Sequence, residues 1–173
     1  MKVIKAKTAG FCFGVKRAVD TVYKQVDTKC GQIYTYGPII HNEEVIKDMR
    51  DKGVIVLRSE EDLDMISQGT VIIRSHGVEK RIYEKIEQKG LRIVDATCPF
   101  VKKIHNIVSE KSGEGFHIII IGNPEHPEVV GIKGWAKDNV TVIQSAEDAE
   151  CFTADRKEKI CIVSQTTFNY NKF

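Results

Sequence analysis

The sequence predicts an α/β chain: two similar lobes of mainly parallel sheet flanked by helices, from a three-lobed parent with a pseudo-threefold arrangement. Two observations carry the two-lobe reading. Strand-like and helix-like segments alternate along the 173 residues, the pattern of α/β units. The first half's chemical signposts also return in the second half, in order. Cys12-x-x-Val15-Lys16-Arg17 is matched by Cys98-x-x-Val101-Lys102-Lys103, an offset of 98 − 12 = 86. Gly37-x-x-x-His41-x-Glu43 is matched by Gly122-x-x-x-His126-x-Glu128, an offset of 126 − 41 = 85. Ile72–His76 aligns loosely with Ile162–Gln165 at an offset of 89. Three matches in the same order at nearly the same offset indicate a duplicated unit. The boundary falls near Ala96–Pro99, giving lobes of residues 1–97 and 98–173, the second incomplete.

Each element has its own signal. Val3–Ala6 reads as a short strand. Val15, Ala18, Val19, Val22, Tyr23 and Val26 share one helical face. Ile33–Tyr36 is strand-like. Asn42 can cap a helix that carries Glu43 and Glu44 in its first turn and ends before Gly53. Val54–Leu57 reads as a strand, and Ser59 with Asp62 as the capping pattern of a short helix. Val71–Arg74 is a strand, Glu79–Lys89 a helix stopped by Gly90, and Leu91–Val94 a strand. The second half continues with a helix near Phe100–Lys111, a strand at His117–Ile121 and a helix near Val129–Lys137. Strands at Val140–Ile143 and Lys159–Val163 complete it.

Composition excludes several classes. Hydrophobic residues make up 42% and charged residues 29%, with a net charge of +2, which is globular composition. Lys and Arg are scattered among Asp and Glu without a basic, aromatic-studded stripe, so nucleic acid is not the partner. The longest purely apolar run, Ile118–Ile121, cannot span a bilayer. MKVIKAKTAG lacks the apolar core of a signal peptide, and a cytoplasmic location is expected. There a thiol serves packing or chemistry, not a disulfide. The five cysteines form no C-x-x-C, against zinc-ribbon and thioredoxin readings.

In α/β units, ligands gather at the carboxyl ends of strands. Cys12, His41, His76, Cys98, His126 and Gln165-Thr166-Thr167 all fall at such ends, and the helices that follow present N–H groups to the same region. Cys12 stands two residues before Gly14, and Cys98 precedes Pro99, a residue suited to the first helical position. Thiolates suit such places, with Lys16 and Lys102 nearby, and thiolates ligate iron–sulfur clusters. Cys30, Cys151 and Cys161 lack this setting and are read as packing. His105, mid-helix, and His117, within a strand, are read as structural. The other three imidazoles suit either a metal or a polyanion such as diphosphate; His76-Gly77 and Thr166-Thr167 add donors that favour the anion. Glu128 lies two residues past His126, so an extended loop aims both to one side, where a carboxyl group can donate a proton. Its counterpart Glu43 reads as a first-turn helix acid.

The segments GFCFGVKRA, GPIIHNEEV, RSHGV, DATCPFVKK, GNPEHPEVVG and SQTT, in this order, resemble the 4-hydroxy-3-methylbut-2-enyl diphosphate reductase family (LytB/IspH). That family catalyses the last step of the methylerythritol phosphate route to isoprenoids. The resemblance implies three α/β lobes around a central 4Fe–4S cluster. It implies that Cys12 and Cys98 are cluster ligands and that His41, His76 and His126 bind the diphosphate. Glu128 would deliver the proton, with Thr166 and Thr167 in the substrate pocket. The implied reaction removes the substrate's allylic hydroxyl reductively, giving isopentenyl or dimethylallyl diphosphate, with electrons from a ferredoxin or flavodoxin. The family's third cluster cysteine and a later serine–asparagine group are expected beyond Phe173. The fragment alone is therefore expected to be inactive, its ligand-facing loops mobile without the third lobe. Two rivals stand beside this reading. One is a zinc-dependent hydrolase using the three histidines with Glu128 as base; the other is a non-enzymatic redox-sensing module.

Overall fold

The computed structural model describes residues 2–7, 9–28, 31–155 and 157–169. Cys30 lies outside them. Helix α1 (Phe13–Thr28) is followed by β1 (Ile33–Tyr36), α2 (Glu43–Asp51), β2 (Ile55–Leu57), α3 (Glu60–Asp64), β3 (Thr70–Ile73), α4 (Lys80–Gln88) and β4 (Arg92–Asp95). These four strands form one parallel sheet in the order β2-β1-β3-β4. The second half runs α5 (Pro99–Gly113), β5 (His117–Ile121), α6 (Pro127–Lys133), β6 (Val140–Ile143), α7 (Ala146–Cys151) and β7 (Ile160–Ser164), with a parallel sheet ordered β6-β5-β7. The succession α1 to β3 and its strand order β2-β1-β3 thus recur as α5 to β7 with β6-β5-β7.

Parallel strands need crossovers, and the crossover helices cover both sheet faces. On β3 every residue is buried. Ile72 packs to one side with Ala18, Val19 and Val22 of α1. Val71 and Ile73 pack to the other with Leu63, Ile82 and Ile86, as the two-residue period of a strand requires. In the second sheet Ile118 and Ile120 meet Val108, Val129 and Ile132.

Several boundaries differ from expectation for local reasons. Val3–Ala6 forms no strand; Val3 and Ile4 are 81% and 78% exposed, and an extended segment with neither ladder bonds nor burial has nothing to stabilise it. Helix α6 starts earlier and ends earlier than its apolar pattern suggested, because Pro127 occupies the first turn and Gly134 closes the last. Helix α7 escaped the pattern because it buries no residue; its signature is the capping box of Ser145 and Asp148. Cys151, at its end, is exposed, which corrects the expectation of a packing thiol there. Cys161 is half-buried against the second core.

Candidate functional site

The thiols occupy matching backbone positions. The Cys12 carbonyl accepts from Lys16 N at 2.9 Å, and the Cys98 carbonyl accepts from Lys102 N at 2.9 Å. Cys98 is the N-cap of α5 with Pro99 behind it. Backbone bonds running past the ends of β3 and β4 fix its position: Ala96 N donates to Ile73 O at 3.1 Å and Cys98 N to Ser75 O at 2.9 Å. The two loops also meet. A methyl group on Gly14, two residues after Cys12, would lie 2.7 Å from Cys98 Sγ. Gly14 is buried in the first turn of α1, so the missing side chain admits the sulfur. The cations expected beside the thiols are engaged with carboxylates, Lys16 with Asp20 and Lys102 with Asp95.

The three histidines converge. The His41 and His76 ring centroids are 5.2 Å apart, and those of His76 and His126 are 5.3 Å apart. Burial, then the neighbouring His126, His41 and Arg74, push the His76 pKa down to about 4. It is therefore a neutral imidazole at pH 7. His126 Nδ1 accepts from Glu128 N at 3.1 Å, which leaves Nε2 as the donor of the neutral ring.

Glu128 is only 1% exposed. Its Oε1 accepts from Thr166 N at 2.6 Å and its Oε2 from Thr166 Oγ1 at 2.9 Å, so the segment after β7 holds the carboxyl group from two directions. Gln165 braces this segment, accepting from Asn123 N at 3.2 Å and donating to Thr167 Oγ1 at 2.8 Å. Glu43 is exposed in the first turn of α2. The duplicated acids have diverged, one caged and one solvated.

The remaining histidines make no ring contact with these three among the described residues. His117 hydrogen-bonds Glu158 and Thr141, each at 2.8 Å. His105, 1% exposed, stacks on Trp135 at 5.1 Å with Nε2 unpartnered, and burial pushes its pKa down to about 4. Gly77 abuts it: φ is +70°, and a methyl group there would lie 2.5 Å from His105 Cε1. Glycine at this position both allows the turn after His76 and admits the ring.

Sequence reasoning passed over Arg17, Arg74 and Asp95. Arg74 Nε donates to Gly77 O at 3.4 Å. Asp95 accepts from Thr97 N at 2.9 Å, Tyr83 Oη at 3.2 Å and Lys102 Nζ at 2.6 Å. A charge ending an apolar strand run was the available signal for Arg74 and Asp95. Among the described residues, no three His, Cys, Asp or Glu side chains are placed to hold a metal ion together. That disfavours a three-histidine zinc centre. Two thiols at matching helix starts, with a glycine cradle admitting one of them, fit a partial ligand set for an iron–sulfur cluster.

Comparison with known proteins bears on this geometry. The family model described as LytB protein matches residues 3–173. A 4-hydroxy-3-methylbut-2-enyl diphosphate reductase of Caldanaerobacter subterraneus subsp. tengcongensis is 48% identical over 168 residues, covering 96% of this chain and 58% of that protein. The Clostridioides difficile protein of the same name is 44% identical over 170 residues, covering 98% and 60%. The chain thus spans about 58% of the length of the curated relatives it matches. The solved structure of the Plasmodium falciparum E-1-hydroxy-2-methyl-but-2-enyl-4-diphosphate reductase superposes with a TM-score of 0.89 at 31% identity, covering 96% of this chain and 52% of that one. A second reductase, described as the terminal enzyme of the non-mevalonate pathway, gives a TM-score of 0.80 at 38% identity, covering 98% and 59%.

Proposed function

The chain belongs to the LytB protein family, and from that premise we propose that it forms part of a 4-hydroxy-3-methylbut-2-enyl diphosphate reductase. Residues 1–97 and 98–173 are two lobes of that enzyme, and the stretch of the relatives that this chain does not span carries the third thiolate. Cys12 and Cys98 would be two of the ligands that hold a 4Fe–4S cluster. Such a cluster, when bound, supplies single electrons and a Lewis-acidic iron.

The chain's own residues do the rest. His41, His76 and His126 clamp the diphosphate through ring N–H groups and fix the substrate's orientation. Glu128 donates a proton to the allylic hydroxyl as it leaves as water. Thr166 aims the Glu128 carboxyl group, and Thr167 lines the pocket. The balance is one allylic alcohol, two electrons and two protons to one alkene and one water, giving isopentenyl or dimethylallyl diphosphate. The electrons come from a ferredoxin or flavodoxin. No helix among the described residues is long and apolar enough to cross a membrane.

The observation that carries this reading is the packing of three imidazoles at 5.2 and 5.3 Å, from the loops after β1, β3 and β5, with Glu128 in the first turn of α6 two residues past His126. The test is anaerobic purification of the natural protein, metal and labile-sulfide analysis, and turnover of 4-hydroxy-3-methylbut-2-enyl diphosphate with a strong reductant. Iron, sulfide and both diphosphate products are expected. Stoichiometric zinc without iron, or an iron-loaded protein that leaves this substrate untouched, overturns it.

A further inference from the structure

We propose that Arg17 is a positioning residue that clamps the two thiol-bearing loops together and so sets the separation of Cys12 and Cys98. The functional importance of that separation rests on the cluster reading above; the clamp itself rests on geometry. Arg17 lies one turn after Gly14 on α1, on the same helical face. Gly14 meets the Cys98 side chain, and Arg17 meets the backbone just before it. Its Nη1 donates to Thr97 O at 2.8 Å and its Nη2 to Asp95 O at 3.4 Å.

Two features mark this as a clamp and not incidental packing. Among the described residues Arg17 forms no ion pair; its guanidinium is spent on two carbonyls of one loop. A planar fork that grips two acceptors fixes orientation as well as distance. The other restraints on this loop come from elsewhere. Ser75 O takes the Cys98 N–H, and the Asp95 carboxyl group is tied to Thr97 N, Tyr83 and Lys102. All of those hold Cys98 within its own surroundings. Only the Arg17 bonds, among the side-chain hydrogen bonds described, run from the helix that starts at Cys12 to the loop that carries Cys98. With Arg17 cut back, each thiol keeps its local setting while the distance between them becomes loose.

The experiment compares the natural full-length protein with Arg17→Lys, Arg17→Ala and the control Lys24→Ala, in two arms. In the first, anaerobically purified holoproteins are mixed with an iron chelator and iron release is followed, and the electron paramagnetic resonance signal is recorded after one-electron reduction of the cluster with dithionite. Arg17→Ala is expected to release iron about 10- to 100-fold faster, the range for losing an outer-sphere support of a metal ligand, with a broadened signal. Arg17→Lys falls between, because an ammonium cannot grip both carbonyls in one plane. In the second arm, cluster-free proteins react with a short bis-thiol cross-linker, and mass mapping reads the Cys12–Cys98 product against singly alkylated thiols. That ratio is expected to fall severalfold in Arg17→Ala, less in Arg17→Lys and not in Lys24→Ala. Circular dichroism checks the fold, and if Arg17→Ala does not fold, Arg17→Lys decides. Unchanged iron release and cross-linking overturn the proposal. A wild-type protein without iron or sulfide sinks the cluster reading, and the cross-linking arm still decides the clamp.

Discussion

Gly14→Ala sets local helix chemistry against tertiary fit. Gly14 sits in the first turn of α1, and alanine there should favour the helix by about 1 kcal/mol. The added methyl group, however, would lie 2.7 Å from Cys98 Sγ and 3.1 Å from Cys98 Cβ. Non-bonded heavy atoms sit best at roughly 3.5–4.0 Å, so the sulfur must retreat by about 1 Å. Rotating the sulfur away does not suffice, because the Cβ is crowded as well and the backbone at 98 has to move. Overpacking of this kind costs roughly 1–3 kcal/mol, so after the helix gain the net loss of stability is small, between about 0 and 2 kcal/mol. Function should suffer far more, since a displacement of about 1 Å in a preorganised site is worth on the order of 100-fold in rate. The assay is thermal unfolding beside iron content and turnover of the anaerobically purified protein. A near-wild-type melting curve with depleted iron and strongly reduced turnover is expected. Full cluster content and full turnover in Gly14→Ala would refute the claim that this glycine exists to admit the Cys98 sulfur.

Three further outcomes follow from the same geometry. Glu128→Gln keeps the size of the caged group and removes its acid–base function, so kcat should fall about 10²- to 10⁴-fold with KM nearly unchanged; steady-state kinetics showing a pure KM effect would contradict the role. Thr166→Val deletes the 2.9 Å bond from its hydroxyl to Glu128 Oε2 but keeps the backbone donor, so kcat should drop about tenfold, the equivalent of losing roughly 1.5 kcal/mol of aim, and an unchanged kcat would show the hydroxyl to be idle. Acid should weaken the fold early. His105 titrates at about 4 in the fold because of burial, against about 6.5 when unfolded. Between those values the unfolded chain takes the proton and the fold does not. Stability is therefore fully present above about pH 6.5 and drains as pH falls toward 4, by at most about 3 kcal/mol from this residue. Denaturation midpoints at about pH 7 and 4.5 should differ clearly in the wild type and less in His105→Phe; equal losses in both would remove His105 as the cause.

The architecture was legible because its signals are periodic. Strand β5 announced itself as four consecutive isoleucines, Ile118–Ile121, and α2 by Asn42 before two glutamates; the Asn42 side chain accepts from Val45 N at 3.0 Å. The duplication was legible because each unit repeats the same chemistry at the same offset. What remained hidden was contact between distant segments. Nothing in GFCFGV tells that its second glycine faces a sulfur 84 residues on (98 − 14). Nor does Glu43, aligned with Glu128, reveal that one is solvated and the other caged, because the cage comes from Thr166 in the distant segment after β7. Arg17 and Lys103 align in the duplicated motif, and only the folded chain shows Arg17 gripping Thr97 and Asp95. Val3–Ala6 carries the apolar residues of a strand but pairs with no strand among the described residues, and pairing is a tertiary fact.

Imidazoles suit the anion-binding role proposed for His41, His76 and His126 for a physical reason. Two unit charges about 5 Å apart repel by roughly 3 kcal/mol at an effective dielectric of 20. Three lysines or arginines at the spacing of His41, His76 and His126 would carry that repulsion permanently. Histidine escapes it, because the central ring gives up its charge: burial and its two neighbours push the His76 pKa down to about 4. Arg74, always charged, adds to the same push and turns its Nε to Gly77 O. A polyanion would reverse the balance at His76, since its negative charge favours the protonated ring that burial and the neighbouring groups disfavour. On the reading proposed above, the trio costs the fold little when no anion is present and would offer donors, with charge on demand, to a diphosphate. A fixed cationic clamp would burden the fold at every moment, which is why the permanent charge stands beside the cluster and the titratable groups stand within it.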